Sequence, residues 1–152
     1  MAVRKIRIAL IEDSQTTRFY YKSVFAETGF EVLEAENARE GWNIICEQKP
    51  DIIILDMMMP EINGIDLLKR IRSYDFSKEI PVMVLSSVSD SEQVQAIFQE
   101  GANHFSLKGM DSPELIKERV YDLLKESKLA DKESSMAETT QPNELDRNIW
   151  WV

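Results

Sequence analysis

Short apolar runs alternate with longer segments of helical periodicity along this chain. Residues 6–11, 52–55 and 82–85 are mostly or wholly apolar, which is typical of strands buried on both faces of a sheet. Two weaker runs lie at 31–34 and 104–107. Each run is followed by a segment in which apolar residues recur every three or four positions, as on the buried side of an amphipathic helix. The pattern predicts five strand–helix units.

Residues that favour helix starts lie at the borders of the predicted helices. Asn37 is placed to cap the second helix, and Ser89 with Glu92 matches a capping box before the fourth. Ser112 and Pro113 supply an N-cap and a first-turn proline for the fifth. The helical segments are therefore delimited by local chemistry as well as by periodicity.

The order of these units predicts the fold class. Alternating strands and helices, with strands apolar on both faces, indicate a parallel sheet covered by helices, and right-handed crossovers place helices on both of its faces. Eight units would be needed for a barrel. We therefore predict an α/β fold: a doubly wound (βα)5 sandwich of the flavodoxin-like type, with a five-stranded parallel sheet and helices on both faces.

Length and charge exclude several classes of protein. The chain has 152 residues and a formal net charge of -9, which argues against direct nucleic-acid binding because such binding depends on clustered lysine and arginine. No apolar run approaches the ~18 to 20 residues that cross a bilayer. We expect a cytoplasmic protein with no membrane partner.

Polar residues follow four of the predicted strands. Strand one is followed by Glu12 and Asp13, strand three by Asp56, strand four by Ser86 and strand five by Lys108. Ligands of open parallel sheets bind beyond the carboxyl ends of the strands, so these side chains should meet at one edge. Any one of them alone could be a helix cap, a turn residue or a surface charge.

Three carboxylates brought together repel one another unless a cation lies between them. Magnesium takes oxygen ligands and commonly uses one or two carboxylates with a substrate phosphate. A carboxylate can also act as a nucleophile, while an ammonium and a hydroxyl stabilise charge on a transferred phosphoryl group. The set is best explained by a magnesium-dependent aspartyl-phosphate site.

The run Asp56-Met57-Met58-Met59-Pro60-Glu61-Ile62-Asn63-Gly64 fits the pattern D-x-x-M-P-x-x-[D/N]-G. With the acidic pair after strand one, the hydroxyl after strand four and the lysine after strand five, it resembles the receiver domain of two-component response regulators, of the chemotaxis-regulator type. The similarity extends from about Lys5 to about Lys128.

The resemblance implies a magnesium site and no other cofactor. The metal ligands carried over from the family are Glu12, Asp13, Asp56 and the backbone carbonyl of Met58.

The resemblance also implies that Asp56 is the phosphoacceptor and that Ser86 and Lys108 contact the phosphoryl group. Phe105 matches the aromatic residue that changes rotamer on activation, although it lacks a tyrosine hydroxyl. Gly109 follows the lysine where the family usually has proline. We therefore expect no cis peptide at this position.

The function implied is that of a single-domain response regulator, a switch and not an enzyme. It would receive its phosphoryl group from a sensor histidine kinase or a phosphotransfer protein. It would contact a downstream protein through the face built by helix four, strand five and helix five. Two alternatives are a phosphorylation-independent pseudo-receiver and a haloacid-dehalogenase-like phosphatase, and the latter needs a second acid where Met58 lies.

The chain divides into a receiver domain at 1–128 and an acidic, polar tail at 129–152. The tail ends in the apolar cluster Ile149-Trp150-Trp151-Val152. Tryptophans bury large areas and dominate the interfaces they enter. We hypothesise that the tail is a contact element that rests on its own domain or on a second copy in a homodimer.

Overall fold

A computed structural model describes residues 4–59, 61–87 and 89–134, with side chains described as far as residue 127. Strands and helices alternate through this part of the chain. They are β1 (Arg7–Ile11), α1 (Gln15–Val24), β2 (Glu31–Ala35), α2 (Ala38–Gln48), β3 (Ile52–Asp56), α3 (Gly64–Arg72), β4 (Val82–Ser86), α4 (Ser91–Gln99), β5 (His104–Leu107) and α5 (Pro113–Ser134). Helix α5 thus continues past residue 128, and the predicted Ile-Trp-Trp-Val cluster lies outside the described residues.

The strands form one sheet in the order β2-β1-β3-β4-β5, and every neighbouring pair is parallel. The prediction of a doubly wound parallel sheet is confirmed. The strand order reverses between β1 and β3, which is the position at which open α/β sheets bind their ligands. Ile11 at the end of β1 is in register with Leu55, one residue before the end of β3, so the carboxyl ends of these strands lie side by side.

Alternate residues of the central strands point to opposite faces and fill two cores. One core contains Ile8 and Leu10 of β1, and it packs against α1 and α5. The other contains Ala9 and Ile11, packs against α2, α3 and α4, and includes the fully buried Trp42. Because both faces are covered, the strands need apolar residues throughout, which explains their continuous apolar runs.

The helix starts agree with the predicted caps except at α4. The Oδ1 of Asn37 accepts a hydrogen bond from the Glu40 amide (2.8 Å), and Ser112 Oγ accepts one from the Leu115 amide (3.2 Å).

The prediction that Ser89 caps α4 is wrong. The cap is Asp90, whose Oδ1 accepts from the amide of Glu92 at 2.9 Å, and the helix begins at Ser91. Two neighbouring side chains could each cap this helix. A carboxylate is favoured over a hydroxyl because its charge also interacts with the positive end of the helix dipole.

Arg72, the last residue of α3, closes the amino-terminal edge of the sheet. Its Nε donates to the carbonyl of Gly101 (2.9 Å), and its Nη1 donates to the carbonyls of Lys78 (3.0 Å) and Ile80 (2.7 Å). Its Nη2 donates to Asn103 Oδ1 at 2.8 Å. One guanidinium therefore joins the loops that enter β4 and β5, on the side of the sheet opposite the predicted site.

A search of the described helices finds none with the length and apolarity required to span a membrane.

Candidate functional site

The carboxyl edge of the sheet brings together the side chains that the sequence places there. Asp56 is the last residue of β3 and Ser86 the last of β4, while Glu12 and Lys108 follow directly after β1 and β5. Glu12, Asp56 and Ser86 are each 1% exposed. Buried polar groups are costly unless they are paired, so their concentration at one edge indicates a binding site.

Lys108 bridges two of the carboxylates. Its Nζ lies 2.8 Å from Glu12 Oε2 and 2.8 Å from Asp56 Oδ1. Burial by itself lowers the pKa of Lys108, but hydrogen bonds to Asp56 and Glu12 and the charges of both outweigh it, so the pKa is raised. The lysine therefore remains cationic beside the acids.

Asp56 has an unusual electrostatic environment. Burial raises its pKa to about 7, and the charge of Glu12 acts in the same direction, while Lys108 opposes them. Its Oδ1 accepts a hydrogen bond from the Met58 amide at 3.2 Å. Its Oδ2 is buried and accepts no hydrogen bond from the described residues. One oxygen is thus held in place, and the other is left available for a ligand.

The acids at this edge fit a divalent cation. Carboxylate oxygens of Glu12, Asp13 and Asp56 lie within 4.8 Å of one another. With all three ionised and Lys108 the only cation paired with this cluster among the described contacts, the group carries two excess negative charges. A hard oxygen set with this charge, including an Asp56 Oδ2 that has no partner among the described residues, suits Mg²⁺. The predicted role of the Met58 carbonyl as a ligand stays a prediction.

The close packing around Gly64 explains why the motif after β3 ends in glycine. A Cβ at this position would lie 2.5 Å from the carbonyl oxygen of Asp56 and 2.8 Å from the Cα of Met57. The Gly64 amide also donates to the Met57 carbonyl at 2.8 Å. The start of α3 therefore packs directly on the backbone that carries Asp56, a contact that the sequence pattern alone does not reveal.

The surroundings of Phe105 connect β5 to α5. Its side chain is partly buried against the core that faces α4, and its carbonyl accepts a hydrogen bond from Arg119 Nη1 at 2.9 Å. Arg119 also pairs with Asp111 at 2.7 Å, and Asp111 accepts from the hydroxyl of the buried Ser106 at 2.8 Å. Sequence reasoning missed this network, because its members have unremarkable spacing.

The described chain contains no cis peptide bond, so the Lys108–Gly109 bond is trans. Gly109 has a φ of 77°, a conformation that proline cannot adopt.

In metal-free protein, the raised pKa of Asp56 should make stability depend on pH. The folded-state pKa is about 7 against an ordinary value of 3.8, so between these values the unfolded chain loses a proton that the folded chain keeps. Stability therefore falls as pH rises from about 4 to 7. We expect the free energy of unfolding, measured with urea in EDTA, to lose on the order of 3 to 4 kcal/mol from this group.

The Asp56→Asn variant isolates that contribution, because it lacks the titrating group but retains similar shape. The difference in stability between variant and native protein should grow in favour of the variant as pH rises. Parallel pH curves would contradict the assignment.

Comparison with known proteins gives one family. The family model described as "Response regulator receiver domain" matches residues 8–120. The chemotaxis protein CheY1 of Helicobacter pylori is 32% identical over 117 residues, which cover 76% of this chain and 94% of that protein. A CheY homologue of Campylobacter jejuni is 27% identical over 121 residues, covering 78% of this chain and 92% of its own length.

Solved structures agree. A Francisella response regulator receiver domain is 26% identical, with a TM-score of 0.73, and the match covers 81% of this chain and 99% of that one. A CheY-like receiver domain protein from Methanospirillum hungatei has a TM-score of 0.77 at 20% identity, covering 84% and 99% of the two chains. The second likeness is evidence for the fold alone.

Proposed function

This chain belongs to the response regulator receiver domain family, and we propose that Asp56 is the residue that accepts its phosphoryl group. Phosphorylation of an aspartate is the standard function of this family, whose members are regulatory switches that interact with histidine kinases and downstream targets. The observation that carries the proposal is the environment of Asp56. Its carboxylate is buried at the end of β3, with Oδ1 held by Lys108 and Met58 and with Oδ2 accepting no hydrogen bond from the residues that the structure describes.

Receiver domains bind Mg²⁺ at an acidic site, and Glu12, Asp13 and Asp56 form such a cluster here. We propose these three carboxylates and the Met58 carbonyl as the ligands. When bound, the ion would offset the charge of the carboxylates and of the arriving phosphoryl group.

The residues of the chain account for the transfer itself. A carboxylate oxygen of Asp56 forms the new bond to phosphorus, while the bond from phosphorus to the donor's histidine nitrogen breaks and its electron pair stays on that nitrogen. Lys108, already 2.8 Å from Asp56 Oδ1, supplies positive charge to the phosphoryl oxygens. Ser86, the last residue of the neighbouring strand β4, would donate its hydroxyl to one of them.

The proposed output surface is the face built by α4, β5 and α5. Phe105 lies on β5 three residues before Lys108, and Phe98 on α4 is 44% exposed. Attraction of Lys108 and Ser86 to a phosphoryl group would pull on the ends of β5 and β4, and Phe105 would respond as the switch residue. The expected partner is a protein, because a chain with a charge of -9 is poorly suited to bind a nucleic acid directly. The homodimer and the contact role of the tail remain hypotheses.

The proposal is tested by incubating the protein with acetyl phosphate and Mg²⁺. We expect one acid-labile phosphoryl group per chain, assigned to Asp56 by mass spectrometry after chemical trapping, and none when EDTA removes the metal. A pseudo-receiver would remain unmodified. A phosphatase would instead release phosphate continuously from a substrate such as p-nitrophenyl phosphate, and either outcome would overturn the proposal.

A further inference from the structure

Arg18 lies on α1, close to the loop after β1 that carries Glu12 and Asp13. Its Nη1 donates to the carbonyl of Glu12 at 2.8 Å and to the carbonyl of Asp13 at 3.2 Å. The side chain is 13% exposed. We infer that Arg18 is a positioning residue for the metal site, holding the backbone so that the carboxylates of Glu12 and Asp13 are presented to Mg²⁺. This inference rests on the proposed function.

The polar groups of Glu12 are held from several directions. Its amide donates to the Ala35 carbonyl at 3.0 Å, and its Oε1 accepts from the Ser14 amide at 3.1 Å. Its Oε2 lies 2.8 Å from Lys108 Nζ. The Glu12 carbonyl accepts the hydrogen bond from Arg18. Glu12 therefore has other anchors if Arg18 is lost.

Asp13 depends more strongly on Arg18. Its side chain is exposed and makes no hydrogen bond within the described part of the chain. The carbonyls of Glu12 and Asp13 belong to the two peptide planes that flank the Asp13 Cα, and Arg18 binds both. Fixing both planes fixes the direction in which the Asp13 side chain leaves the backbone. Arg18 thus sets the orientation of a ligand that has no side-chain support of its own.

The guanidinium is itself oriented from β2. Its Nε lies 3.7 Å from Glu34 Oε1, and the other Glu34 oxygen lies 3.1 Å from Lys22 Nζ. Glu34 thus joins two cations of α1, and of these two only Arg18 contacts the acidic loop within the described residues. Lys22 therefore offers a matched control, with the same charge and the same carboxylate partner.

If Arg18 acts only through its charge, its removal should change the affinity for Mg²⁺ in one direction; if it orients the ligands, its removal should change the affinity in the other. A cation close to a metal site repels Mg²⁺, so its removal on electrostatic grounds should tighten metal binding. Loss of a residue that orients the ligands should weaken it. The sign of the change in affinity therefore distinguishes a positioning role from a simple surface charge.

The experiment is isothermal titration calorimetry of Mg²⁺ into the full chain. We expect Arg18→Ala to raise the dissociation constant by roughly 10-fold, the scale on which residues that orient metal ligands act. Lys22→Ala should stay within about 2-fold of the native protein on the same scale. Arg18→Lys keeps the charge but lacks the planar guanidinium whose Nη1 contacts both carbonyls, so it should bind Mg²⁺ with intermediate affinity.

A second measurement separates orientation from folding. Without metal, hydrogen exchange at the Ser14 amide should be faster in Arg18→Ala and unchanged in Lys22→Ala. If circular dichroism shows that Arg18→Ala is unfolded, Arg18→Lys and Glu34→Gln are measured in its place. Both should weaken Mg²⁺ binding. Affinity equal to or tighter than native in the folded Arg18 variants would overturn the inference. Failure of the native chain to bind Mg²⁺ would instead contradict the proposed function.

Discussion

Asp56→Asn protein is expected to take up no phosphoryl group from acetyl phosphate or from a histidine kinase. The amide oxygen that replaces the carboxylate carries no formal charge, so it is a poor nucleophile and a weaker metal ligand. Removal of a nucleophile typically lowers the rate by a factor on the order of 10³ or more. Labelling with radioactive acetyl phosphate, followed over time, measures the loss directly.

The control for this experiment is Asp66→Asn, which removes an exposed acid from the first turn of α3. Its labelling should equal that of the native chain. Undiminished labelling of Asp56→Asn, or transfer of the label to Glu12 or Asp13, would show that the wrong acid has been assigned.

Gly64→Ala is expected to destabilise the protein by about 2 to 3 kcal/mol, the usual cost of forcing an extra methyl group into packed space. The new Cβ would lie 2.5 Å from the Asp56 carbonyl oxygen and 2.8 Å from the Met57 Cα. Both contacts are with backbone, which cannot move aside as a flexible side chain would. The backbone that must shift carries Asp56, the proposed acceptor, so the labelling rate should fall together with the urea midpoint.

Gly29→Ala provides the comparison for this variant. Gly29 has a φ of +80°, and no heavy atom lies within 4 Å of the position that an alanine Cβ would take, so alanine there incurs only backbone strain of about 1 kcal/mol. It lies after α1, in the loop before β2, and its labelling should be native. Equal effects of the two substitutions on stability and labelling would remove the steric argument for Gly64.

The sequence predicts the sheet and the main acids of the site because both depend on simple periodic rules. Strands covered on both faces require continuous apolar runs, and parallel strands bring the residues after those runs to one edge. Asp56, Ser86 and Lys108 could therefore be located without coordinates. The resemblance to receiver domains added roles to these positions, and those roles for individual residues remain proposals.

The contacts that the sequence could not predict depend on distances between segments. Arg18 has the spacing of an ordinary helical residue, and only the shape of the loop after β1 places two carbonyls within its reach. Ser89 and Asp90 are adjacent residues that both favour caps, and only the observed start of α4 at Ser91 identifies Asp90 as the cap. The close approach of Gly64 to β3 likewise requires the packing of α3 to be known.

The position of Arg72, far from the acids, predicts that its natural variants would differ in kind from variants of Asp56. The Arg72 guanidinium joins the loops at the edge of the sheet remote from the acids, so replacing it should lower the fraction of chains that are folded and leave the chemistry of each folded chain intact. In a cell, such a variant would be present at reduced abundance yet respond normally per molecule. A variant of Asp56 would be abundant and unresponsive. Protein level and signal per molecule, measured together, therefore separate the two classes of defect.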